Sequence, residues 1–79
     1  MGSNRFRNWR ADEVRQFVLE HGFTKASVKG DDEIWMNRDL QGIFRIPFRN
    51  EVISLGSMLA TVRKSKIGKK VWLEWKESR

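Results

Sequence analysis

The sequence predicts an α+β fold in which two helices cover one face of a three-stranded antiparallel sheet. Two segments with apolar residues at helical spacing bracket three short segments that alternate apolar and polar residues, and glycine- and aspartate-rich turns separate the latter. At 79 residues the chain has room for one domain. It has no cysteine and a single histidine, which excludes disulfides, a Cys/His zinc site and a cysteine nucleophile. Packing alone must hold the core, and four Trp and five Phe bring large buried areas to it.

Residues 1–10 read as a basic N-terminal arm ahead of a single domain over 11–79. Gly2-Ser3 reads equally as an expression-vector remnant and is left out of the fold reasoning. Phe6 and Trp9, set among Arg5, Arg7 and Arg10, suit either a basic-aromatic RNA arm or an aromatic staple onto the domain; the staple is the simpler role. Residues 11–21 predict the first helix, with Ala11, Val14, Phe17 and Val18 on one face and Asp12 and Glu13 in the first turn, where the dipole favours acids. Gly22 stops it.

Residues 23–29 predict a strand with Ala26 and Val28 on one face and Lys25, Ser27 and Lys29 on the other. After a turn at Gly30-Asp31-Asp32, residues 33–36 predict a second strand with Ile34 and Met36 inward and Trp35 outward. Residues 43–48 alternate most clearly, with Phe44, Ile46 and Phe48 inward against Ile43 and Arg45, and Pro47 ends the strand or places it at an edge. The second helix is expected over 55–66, with Ser54 as its cap, Leu55, Met58, Leu59 and Val62 as its apolar stripe and Gly68 as its stop. Residues 71–75 alternate again and predict a short C-terminal strand. The sheet face opposite the helices would then carry Trp35, Ile43, Arg45, Lys25, Ser27 and Lys29.

The net charge of +6 points to a polyanionic partner, because clustered cations gain from counterion release on meeting phosphates. The charge is polarised. Arg63, Lys64, Lys66, Lys69 and Lys70 crowd the end of the second helix, whereas Asp31, Asp32, Glu33 and Asp39 concentrate negative charge in the middle of the chain. Basic groups beside an exposed aromatic suit RNA, since phosphates need cations and bases stack. The expected nucleic-acid-binding set is Lys29, Trp35, Arg45, Arg63, Lys64, Lys66, Lys69 and Lys70. No cofactor and no metal site are expected, and the lack of a long apolar run or a secretory signal predicts a cytoplasmic protein without a membrane partner.

Four motifs in order carry a resemblance: Gly22-Phe23 at the first helix end, Lys29-Gly30-Asp31-Asp32-Glu33-Ile34-Trp35, Ile46-Pro47-Phe48-Arg49, and Leu55-Gly56-Ser57-Met58-Leu59. Their order and spacing over residues 11–68 resemble the HicA (YcfA-like) mRNA interferase toxins, RNA-cleaving partners of antitoxins. The resemblance implies a double-stranded-RNA-binding-like α-β-β-β-α fold, an RNA ligand and a HicB-like antitoxin as partner. It also places Asp32 where the family has its catalytic histidine, while the segment after Gly68 departs from the pattern. An ordinary aspartate is ionised at neutral pH, a weak base and no useful acid, so the substitution argues against histidine-type cleavage. Three readings follow: an RNA-binding domain without that chemistry, an active ribonuclease using Asp32 or Mg²⁺ held by Asp31, Asp32 and Glu33, and a protein-docking module. His21, at the end of the first helix, reads as a surface or dipole residue.

Overall fold

The computed structural model describes residues 5–79, so Gly2-Ser3 lie outside the described residues. The order is α1 (Ala11–Glu20), β1 (Thr24–Lys29), β2 (Asp32–Asn37), β3 (Gly42–Pro47), α2 (Leu55–Ser65) and α3 (Lys69–Glu77). The strands form one antiparallel sheet in the order β1-β2-β3. This is the predicted α-β-β-β-α layout with one change at its end, where a helix replaces the expected strand over 71–75.

That change follows from an ambiguity in Val71-Trp72-Leu73-Glu74-Trp75, whose apolar residues satisfy both a period of two and an i, i+3 pair of tryptophans. Tertiary contacts choose the helix. Trp72 is fully buried, stacks on Phe17 at 3.8 Å between ring centroids and meets Trp9 edge-on at 5.6 Å. One helical turn away, Trp75 stacks on Trp9 at 5.8 Å and donates its indole N–H to Glu20 at 2.8 Å. Gly68 consequently caps the start of α3 rather than stopping α2, which ends at Lys66 in the left-handed region.

The described part of the N-terminal arm packs into the same core. Phe6 and Trp9 are fully buried, and the Ile53 N–H donates to the Trp9 carbonyl at 2.8 Å while the Ala11 N–H donates to that of Glu51 at 2.9 Å. Such packing matches the staple rather than a free arm. Arg10 opens α1, where its backbone N–H donates to Glu13 at 2.9 Å. On α2 the Ser54 hydroxyl accepts from the Ser57 N–H, as expected of an N-cap.

Two glycines are required by close approaches. A side chain at Gly42 would meet the Ser65 carbonyl at 2.8 Å, because the last turn of α2 presses on the start of β3. Gly22 has φ +86° and turns the chain from α1 into β1, with Asn37 directly above it. Phe17, Val18, Phe44, Ile46 and Val62 are buried as expected, and Leu59 packs partly buried against the same cluster.

In β2 the expected facing is inverted. Trp35 pairs with Phe44 and lies 5% exposed in the core beside it, whereas Ile34 and Met36 turn to the outer face. The inward set of β2 is therefore Glu33, Trp35 and Asn37. Period two fixes only which residues share a face, and a tryptophan buries more area than the neighbouring aliphatics, so the register that takes Trp35 inside wins. Phe48, expected inward, is exposed beyond the end of β3. Strand β1 is a fully exposed edge, and a bulge between Lys25 and Ser27 breaks its alternation.

Candidate nucleic-acid interface

The inward turn of Glu33 dissolves the carboxylate run Asp31-Asp32-Glu33 as a single site. Glu33 accepts from the Arg15 guanidinium at 2.8 Å and from the Trp35 indole at 3.0 Å, with Lys25 at 3.7 Å. Arg15 in turn reaches Asp12 at 2.6 Å and the carbonyls of Pro47 and Phe48. This network, buried at Glu33 and open to solvent at Asp12 and Lys25, ties α1 to β2 and β3. Burial opposes ionisation of Glu33, but the hydrogen bonds from Arg15 and Trp35 and the charges of Arg15 and Lys25 outweigh it and hold the carboxyl below its ordinary range. Asp32 points to the opposite face, next to Arg45 at 3.8 Å. Among the described residues no three His, Cys, Asp or Glu side chains converge on a point where a metal ion could sit.

On the outer side the sheet and α2 enclose an open groove of about 530 Å³. Ile34 and Ile43 form its aliphatic floor, Ser27 and Lys29 of β1 make one wall, and Ser57, Ala60, Thr61 and Lys64 of α2 make the other. The groove exists because α2 packs along the β3 flank and turns Met58 and Val62 to the core, leaving its neighbouring stripe to overhang the outer face. Three cations, Lys29, Arg45 and Lys64, border it, and among the described residues no carboxylate lines it. Neither Lys29 nor Lys64 forms an ion pair among the described residues.

The structure thus divides the expected binding set. Lys29, Arg45 and Lys64 come together in the groove. Arg63, Lys66 and Lys69 border a separate depression on the far side of α2, floored by Leu59, Val62 and Ile67, and Lys70 is exposed on α3. Trp35 is withdrawn from the set, because its ring lies in the core and no base can stack on it. Lys25 leaves the outer face as well, carried by the bulge toward Glu33. His21 stacks on Phe17 at 4.1 Å and donates from Nδ1 to the Phe17 carbonyl at 2.7 Å, which holds it against α1.

Sequence reasoning placed Ser27 on this face but missed Ser57 and Thr61 of α2, which line the groove beside the cations. A signal for the α2 wall was present: residues 57, 60, 61 and 64 follow i, i+3, i+4 and i+7, a stripe of small and polar residues adjoining the apolar one. Comparisons with family models, curated proteins and solved structures give no match, so the geometry of the groove carries the reading of this site.

Proposed function

We propose that this chain is a HicA-like RNA-binding domain that does not cleave by histidine-dependent proton transfer, with the groove between the outer sheet face and α2 as its RNA surface. The observation that carries the reading is the gathering of Lys29, Arg45 and Lys64 around hydroxyls and an aliphatic floor with no carboxylate in the lining. Cations supply phosphate contacts, and Ser and Thr hydroxyls suit phosphate and 2′-hydroxyl oxygens. With Trp35 buried, affinity rests on phosphates more than on stacked bases. The cleavage chemistry lacks parts: the only histidine is packed on Phe17, and Asp32 sits beside a guanidinium with Glu33 turned away.

The test is binding of a fluorescently labelled single-stranded RNA across a salt series. Joint replacement of Lys29, Arg45 and Lys64 by Ala should flatten the log–log salt slope by up to about 2 units, at about 0.7 per phosphate contact, with little change in thermal midpoint. No binding at low salt, or an unchanged slope, overturns the proposal. Cleavage that resists a chelator and vanishes in Asp32→Ala would establish the ribonuclease reading instead. A second reading, docking of a HicB-like protein, is favoured by the exposed β1 edge and by Phe48 and Val52, which are 58% and 50% exposed. Salt-insensitive capture of such a partner with no RNA affinity would select it.

A further inference from the structure

We infer that Asp32 is an intramolecular competitor for phosphate at Arg45, so that this residue limits RNA affinity instead of performing chemistry. The inference rests on the groove being the RNA surface. Register sets the arrangement: Asp32 pairs across with Lys29 on β1 and with Pro47 on β3, and Ile34, two residues on, pairs with Arg45. Asp32, Lys29 and Arg45 therefore share the outer face, with the carboxylate between the two cations. Its Oδ2 stands 3.8 Å from Arg45 Nη1, and the side chains are 36% and 65% exposed.

Asp32 lies outside the groove lining, in a neighbouring depression that it shares with Arg45, Ser57 and Thr61. Arg45 belongs to both depressions, so its guanidinium can turn to Asp32 or to a ligand in the groove. A carboxylate presents to a guanidinium the same pair of acceptor oxygens as a phosphate does. An incoming phosphate must displace Asp32 and then remain close to its negative charge. Lys64, across the groove, has no such competitor among the described residues.

The experiment compares wild type, Asp32→Asn, Arg45→Ala and the double variant on one labelled single-stranded RNA across salt, with Asp39→Asn as a control that changes net charge equally in the β2–β3 turn. Asp32→Asn should bind about three- to fivefold more tightly at low salt, the factor that an exposed ion pair can withhold. Its salt slope should steepen by up to about 0.7, the share of the Arg45 phosphate contact that Asp32 withholds in wild type. The gain should exceed that of Asp39→Asn and disappear in the Arg45→Ala background. If wild type binds and Asp32→Asn only equals Asp39→Asn, or keeps its gain without Arg45, the inference falls while the RNA reading stands. If neither wild type nor Asp32→Asn binds at low salt, the RNA reading falls first. Binding that emerges only in Asp32→Asn overturns the RNA reading of the wild-type chain, and the inference that rests on it falls as well.

Discussion

Replacing Glu33 by Gln preserves its shape and removes the charge that balances Arg15 at the α1–sheet junction. Wild-type Glu33 is 6% exposed and receives two side-chain hydrogen bonds, at 2.8 Å from Arg15 and 3.0 Å from Trp35. The Arg15 side chain is 17% exposed and keeps only Asp12 and two carbonyls once the carboxylate is gone. Breaking one side of a buried pair costs about 3–5 kcal/mol, and retained amide contacts place Glu33→Gln near the lower end, about 3 kcal/mol. For a domain of this size each kcal/mol shifts the midpoint by about 4–8 °C, so a drop of about 12–24 °C is expected at pH 7. Because the folded carboxyl titrates below its ordinary range, its stabilisation is complete above the unfolded value and is lost as pH falls through the folded one. The gap between wild type and Glu33→Gln should therefore narrow as pH falls below about 4.3, the ordinary glutamate value. Thermal melts followed by circular dichroism at pH 7 and pH 3 measure it. A gap equally wide at both pH values, or a loss under about 0.5 kcal/mol at pH 7, would refute the reasoning.

Other substitutions probe packing. Trp35→Ala should cost about 3–5 kcal/mol by emptying core volume, and denaturant unfolding that finds it near neutral would return Trp35 to the surface. Ser65→Ala should cost about 1–3 kcal/mol, because the buried Ser65 hydroxyl accepts from the Trp72 indole at 3.2 Å and donates to the Val62 carbonyl at 2.7 Å; equal stability of the variant and wild type in urea would mean that the indole has another acceptor. Gly42→Ala should lower the thermal midpoint, since its Cβ would stand 2.8 Å from the Ser65 carbonyl, whereas Gly56→Ala, with no neighbour within 4 Å, should not. A reversed order of the two would mean that α2 does not press on β3 there.

Much of the fold was legible in local pattern. The residues of α1, the three strands and α2 were readable within a residue or two, since Ala11, Val14, Phe17 and Val18 repeat at 3.6 and Phe44 and Ile46 at two, and a turn or cap bounds each element. The polarised charge, and with it Lys29, Arg45 and Lys64 as candidate phosphate contacts, was likewise a property of the sequence. Tertiary structure decided what period alone leaves degenerate. Alternation does not say which face of β2 is inner, and the area gained by burying Trp35 against Phe44 settled it, turning Glu33 to Arg15 and leaving Asp32 with Arg45. Residues 71–75 fit strand and helix equally until Trp9 and Phe17, distant in sequence, offered rings at the spacing of Trp72 and Trp75. Which cations share a surface also depends on contacts between distant segments: α2 lies against β3, so Lys64 joins Lys29 and Arg45 while Arg63 and Lys66, its helical neighbours, face the other side.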